Sequence, residues 1–131
     1  MDDERLIEVA RNACRNAYAP YSGFSVGAAV LDEIGRIHIG CNVENAAFPE
    51  GTCAEANAIA AMVVAGGRRI AAIAVVGGRD APGPCTPCGG CRQKIAELAG
   101  DGTRILLLDD AGNIESRSLP ELLPRSFHLD P

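Results

Sequence analysis

Six cysteines punctuate the 131 residues: Cys14, Cys41, Cys53, Cys85, Cys88 and Cys91. Three crowd into one stretch, Cys85-Thr86-Pro87-Cys88-Gly89-Gly90-Cys91. With no export signal in view, such crowding reads as metal ligation or redox chemistry rather than as disulfide staples. Cys14 and Cys41 sit among apolar neighbours and read as free thiols packed as small hydrophobes. Chemistry concentrates in Cys53-Ala54-Glu55 and Pro87-Cys88-Gly89-Gly90-Cys91. Three thiolates suit Zn²⁺ and leave one tetrahedral position open, whereas a structural site would fill it with a fourth side chain. Zinc lowers the pKa of a bound water to about 7 and so makes a nucleophile at neutral pH. Residues two apart on a helix do not share a face. Cys53 would therefore ligate from the very first turn, with Glu55 reaching the same pole outside the coordination shell. A carboxylate beside activated water carries protons, so the set points to hydrolysis. Cys85 and Cys88 also form a Pro-Cys-x-x-Cys pair. Pro87 would stiffen that chelate, while Gly89-Gly90 lets N–H groups turn towards sulfur. Cys88 and Cys91 are therefore the expected ligands, and Cys85 a bystander.

The elements around these residues must bring the two segments together. Leu6, Ala10, Ala13 and Ala17 recur at helical spacing and predict a helix over residues 3–17, ended before Pro20. Strands are expected at 24–31 and 36–42, joined as a hairpin through Asp32-Glu33-Ile34-Gly35. Residues 45–52 read as a loop and the Ala-rich 54–65 as a helix. A buried strand at 70–76, a Gly/Pro-rich loop at 77–87, a helix at 91–99 and a strand at 103–109 follow. Residues 114–117 suggest one more short strand, and Ser118-Leu119-Pro120-Glu121 has capping-box spacing for a short last helix. This αββαβαβ(β)α order implies an α/β fold: a three-layer α/β/α sandwich with one mixed sheet of about five strands, spanning 1–131 as a single domain. If strands 36–42 and 70–76 run the same way, both cysteine-bearing helix starts emerge at one sheet edge, where α/β proteins place ligands. Helix dipoles there would favour the thiolates.

Composition excludes several partners. Hydrophobic residues make up 47% and charged residues 22%, as in a globular chain. The net charge of −5 and the absence of any run of four basic residues disfavour a polynucleotide partner. The longest apolar run, residues 58–65, is far short of the ~18 a membrane span needs. Met1-Asp2-Asp3-Glu4-Arg5 is acidic and opens no signal-peptide core, so a cytoplasmic location is expected.

Taken together, the motifs resemble those of cytidine deaminases of the small, three-cysteine, homotetrameric type. The resemblance runs through Tyr18-Ala-Pro-Tyr21-Ser22-x-Phe24-x-Val26-Gly27-Ala28-Ala29, Gly40-Cys-Asn42-Val-Glu44-Asn45-Ala46 and the two cysteine motifs with Arg92-Gln93. It ends with Leu122-Leu-Pro124-x-x-Phe127. It implies zinc-dependent deamination of cytidine and deoxycytidine to uridine and deoxyuridine in pyrimidine salvage, with one Zn²⁺ per chain. It also implies a homotetramer whose sites borrow residues from neighbouring subunits. Carried over, Cys53, Cys88 and Cys91 bind zinc and Glu55 moves protons. Asn42 and Glu44 hold ribose hydroxyls, Phe24 packs on the base, and the Ala54 N–H meets the ring carbonyl. Phe127 and Phe48 would approach a partner's site. Extended chain points Asn42 and Glu44 the same way, and an amide beside a carboxylate suits a sugar diol. His38 and His128 have no ligand spacing and read as satisfied or surface histidines.

Two positions depart from the pattern. Many relatives follow Cys-Ala-Glu with Arg, and this chain has Ala56. Three thiolates leave a Zn²⁺ site with excess negative charge, which Arg92 could offset together with the two helix dipoles. Phe48 stands where the family has tyrosine, so a hydroxyl is missing. A deaminase of a modified cytosine nucleoside or an aminonucleoside antibiotic is the nearest alternative. An iron–sulfur carrier using Cys85, Cys88, Cys91 and Cys53, or a structural-zinc domain, represents a different class.

Overall fold

The computed structural model describes residues 2–131; Met1, the first residue of the acidic opening, lies outside them. In chain order the elements are α1 (Asp3–Cys14), β1 (Ser25–Asp32), β2 (Ile37–Cys41), a 3-10 turn (Phe48–Glu50), α2 (Ala54–Val64) and β3 (Ile70–Gly78). They continue as α3 (Gly89–Leu98), β4 (Ala99–Leu108), β5 (Ile114–Ser118) and α4 (Leu119–Leu122). Asp2 caps α1 by accepting the Arg5 N–H at 2.7 Å, and the Ser118–Glu121 capping box expected for α4 is formed. Several boundaries differ from expectation, and two of them have a visible cause in the hydrogen bonding. The first helix stops at Cys14, because the N–H of Tyr18 is taken by Asn42 O rather than by a further helical turn. Strand β4 starts early, at Ala99, which pairs with Ile70 across a register shift bridged by the Thr103 hydroxyl.

One mixed sheet has the order β2-β1-β3-β4-β5. Strand β1 is antiparallel to both β2 and β3, and β3 is parallel to β4. Strands β2, β3 and β4 therefore run the same way, so β2 feeds α2 and β3 feeds α3 from one edge, as the sequence reading required.

Period-2 alternation sorts the apolar residues into two layers. Val30, Ile73, Val75, Ile105 and Leu107 face α2 and α3. Ala29, Ala72, Ala74, Val76, Leu106 and Leu108 face Leu6, Ile7 and Ala10 of α1. The α/β/α sandwich is thus present, each fully buried aliphatic contributing ~1.5–3 kcal/mol.

The hairpin turn is fastened by Asp32, whose side chain is fully buried. Its Oδ1 accepts the N–H groups of Ile34 and Arg36, and its Oδ2 accepts from Arg36 Nε and His38 Nε2, each at 2.8 Å. Burial pushes the carboxyl up, but these donors overcome it and hold the group far below the usual carboxylate range. His38 is thereby a satisfied core-edge histidine.

Gly40 lets α2 lie directly on β2. A Cβ there would overlap the Ala54 carbonyl oxygen and the Ala58 nitrogen. Gly40→Ala should cost about 1–3 kcal/mol by overpacking, read in chemical denaturation, and should loosen the start of α2. Unchanged stability would show that the helix does not bear on the strand this closely.

Candidate active site and metal centre

The two helix starts converge. Cys53 is the N-cap of α2 in extended conformation, Cys88 is the N-cap of α3, and Cys91 lies in its first turn. The three sulfur atoms lie within 4.8 Å of one another. Tetrahedral thiolates about 2.3 Å from zinc stand just under ~4 Å apart, so a small closure of these sulfurs fits the ion. Cys85 is not in this group. It lines the neighbouring wall, where burial pushes its thiol up to about 11. The iron–sulfur reading, which needs Cys85 as a ligand, loses its geometry.

Helix α3 begins at Gly89 rather than at the expected Cys91. A Cβ at Gly89 would meet nothing, and one at Gly90 only the Lys94 ammonium at 3.8 Å. The turn between Cys88 and Cys91 is thus an ordinary helix start and not one that glycine alone could make. What selects this pair is the position of its sulfurs relative to Cys53.

Dipole stabilisation of the thiolates holds at one position of three. The Cys91 N–H lowers the Cys88 thiol despite some burial. Burial pushes Cys53 and Cys91 up; Glu55 and Cys88 add to the effect at both, and Cys53 adds to it at Cys91, while a hydrogen bond with the Cys91 thiol partly opposes it at Cys53. A divalent cation supplies the charge that would reverse this. Arg92 does not donate to sulfur: its Nε donates to Pro87 O at 2.8 Å and its guanidinium NH to Leu122 O at 2.7 Å. The expected charge-offsetting role becomes a mechanical one, a tie from the chelate loop to α4.

Beside the sulfurs lies Glu55, only 4% exposed, in the first turn of α2. Burial raises its carboxyl above the usual range, partly opposed by its own N–H, the Cys91 thiol and Lys94. A carboxyl so raised holds a proton closer to neutrality, as a proton carrier must.

A cavity of about 530 Å³ opens over this floor and is large enough for a small ligand. Asn42, Glu44, Phe48, Cys53, Ala54, Glu55 and Cys88 all line it, together with Tyr21, Ser22, Thr52 and Thr86. The loop after β2 is held open by backbone pairs from Val43 to Thr52 and from Glu44 to Tyr18. Asn57 braces it through bonds to Cys41 O and Thr52 Oγ1. Phe48 packs edge-on to Tyr21, ring centroids 6.2 Å apart, and so walls its own chain's cavity. Two expected residues are not brought in. The Phe24 ring lies outside the lining, with the Arg79 guanidinium 6.0 Å from its centroid. Phe127 is 69% exposed, its carbonyl accepting from Gln93 Nε2 at 2.8 Å.

Residues 1–106 match the family model for the cytidine and deoxycytidylate deaminase zinc-binding region. The chain belongs to the cytidine and deoxycytidylate deaminase family. Cytidine deaminase of Sporosarcina psychrophila is 45% identical over 127 residues, covering 97% of this chain and 92% of that protein. The crystal structure of cytidine deaminase from Burkholderia pseudomallei superposes with a TM-score of 0.87 at 43% identity, covering 97% of this chain and all of that one. That from Mycobacterium tuberculosis gives 0.85 at 39% identity, covering 98% and 99%. As a member of this family the chain is a deaminase enzyme. Among the described residues no helix is long and apolar enough to cross a membrane.

Sequence reasoning missed Tyr21, Ser22, Thr52 and Thr86 as cavity residues. Tyr21 and Ser22 lie inside the first motif shared with the family, three and two residues from Phe24, and that motif is the signal that could have found them.

The geometry separates Cys53, Cys88 and Cys91 from Cys85. Cys88→Ala should purify with most of its metal lost, whereas Cys85→Ala should keep it, measured as metal per chain by elemental analysis. Equal retention in both variants would overturn the three-sulfur assignment.

Proposed function

We propose that this enzyme hydrolyses cytidine and deoxycytidine to uridine and deoxyuridine, releasing ammonia, with one zinc ion per chain held by Cys53, Cys88 and Cys91. The observation that carries this reading is three sulfurs within 4.8 Å of one another, two of them lining a cavity, beside a buried Glu55. The names of the relatives support the substrate. Zinc held there acts as a Lewis acid and lowers the pKa of water, which is the chemistry the sulfurs alone cannot supply.

Glu55 takes a proton from the attacking water as oxygen bonds to C4 of the cytosine ring, and passes it to ring N3. Glu55 then takes the remaining proton of the oxygen on C4 and gives it to the amino group; C4=O forms as the C4–N bond breaks, and ammonia leaves. The Ala54 N–H, next to Glu55 at the start of α2, faces the ring carbonyl. Asn42 and Glu44 bind the sugar hydroxyls, and Phe48 walls the cavity with Tyr21. An acidic carboxylate at the sugar end suits a free nucleoside and opposes a polynucleotide backbone.

Beyond the site, the reading is of one domain over 1–131 working in the cytoplasm in pyrimidine salvage, assembled as a homotetramer. Phe127, Leu129 and Phe48, exposed by 69%, 75% and 78%, support burial of this rim by other subunits. In that assembly Phe127 approaches a partner's site. Phe24 supports the sugar end through its peptide N–H and C=O, which hold Ser22 and Asn42, while its ring lies outside the cavity lining.

Glu55→Gln should retain stoichiometric zinc and lose turnover by about two to four orders of magnitude, measured as ammonia released from cytidine. Near-normal turnover in that variant would remove Glu55 from the mechanism. Zinc removal by a chelator should abolish turnover, and added Zn²⁺ should restore it.

A further inference from the structure

The sugar end of the cavity is built from one turn. Gly23, at φ +69°, swings the chain from Ser22 into β1. Within that turn the Ser22 hydroxyl oxygen accepts the Phe24 N–H at 2.9 Å, which aims its own proton at Glu44 Oε2. Glu44 Oε1 accepts the N–H groups of Tyr21 at 2.9 Å and Ser22 at 3.1 Å. A carboxylate offers about four lone-pair sites. Three are filled from this turn, and the one left is on Oε2, beside the Ser22 hydroxyl. The same peptide fixes the other sugar-end residue. Asn42 Nδ2 donates to Phe24 O at 2.9 Å and its Oδ1 accepts the Val26 N–H at 2.8 Å.

We propose that Ser22 is a positioning residue for substrate binding: its hydroxyl orients the Glu44 carboxylate so that the remaining Oε2 lone pair receives a sugar hydroxyl proton. The assignment rests on the sugar-binding reading of Glu44 given above. Ser22 touches neither the reacting carbon nor the sulfurs, so its effect falls on binding rather than on chemistry. The donation also holds the Glu44 carboxyl below the usual range, together with the Ser22 and Tyr21 N–H groups, and keeps it an acceptor.

The test is a double-mutant cycle on the zinc-loaded enzyme, with Ser22→Ala, Ser22→Thr, Glu44→Ala and the Ser22→Ala/Glu44→Ala pair. Steady-state kinetics on cytidine are read beside zinc content and Tm. Ser22→Ala should raise KM about tenfold, the effect of one lost charge-assisted hydrogen bond, with kcat within about twofold. Ser22→Thr, which keeps the hydroxyl, should recover most of that loss. In the Glu44→Ala background the further change Ser22→Ala should move KM by less than about twofold. An equal rise in KM with and without Glu44, or a fall in kcat instead of a rise in KM, would overturn the assignment and leave Ser22 as a shaper of the turn. If Glu44→Ala itself binds cytidine normally, the sugar-end reading fails first, and this assignment falls with it.

Discussion

Three sulfurs crowded within 4.8 Å cannot all carry negative charge in a partly buried pocket without a cation among them. Burial lifts Cys53 and Cys91 away from ionisation, and the charges of Glu55 and Cys88 add to the effect at both. The arrangement is therefore costly as a bare thiol cluster and favourable as a metal site, and this asymmetry gives the surrounding fold its purpose. Glu55 belongs to the same balance: it sits where desolvation favours its protonated form, beside thiols that would lose their protons to a bound metal.

The sheet meets this requirement by strand direction. Because β1 is antiparallel to both neighbours, β2 and β3 point the same way, and the helices that follow them start side by side. Close packing then sets the distance: α2 rests on Gly40, where no side chain intervenes. On the opposite layer α1 packs on Ala29, Ala72 and Ala74, small residues that bring it close to the sheet and away from the cavity. Chemistry and support thus occupy different faces of one sheet.

Much of this was legible in residue order. Period-2 and period-3.6 patterns located the elements, and the spacing of Cys53, Glu55, Cys88 and Cys91 pointed to the centre, because local chain geometry restricts which neighbours can share a pole. Contacts made through the backbone were less legible. Phe24 drew attention by its ring, yet its peptide N–H and C=O hold Ser22 and Asn42 while the ring lies outside the cavity lining. Arg92 suggested charge compensation by adjacency to Cys91, but a guanidinium reaches far along its stem, and here it finds the carbonyls of Pro87 and Leu122. Such long-range partners depend on where distant segments end up, which neither periodicity nor motif spacing encodes.

The buried clasp at Asp32 has a consequence at the far end of its strand. Strand β1 is extended, so sliding it by one residue would carry Ser25 and everything before it along by about 3.4 Å and exchange the two faces of the strand. Ala28 and Val30 would then look towards α1, and the turn at Tyr21-Ser22 would slip out of step with Asn42 and Glu44. By gripping the Ile34 and Arg36 amides, the carboxylate sets the phase of β1 against β2. A group with no view of the cavity thus keeps Ser22 in alignment with Asn42 and Glu44.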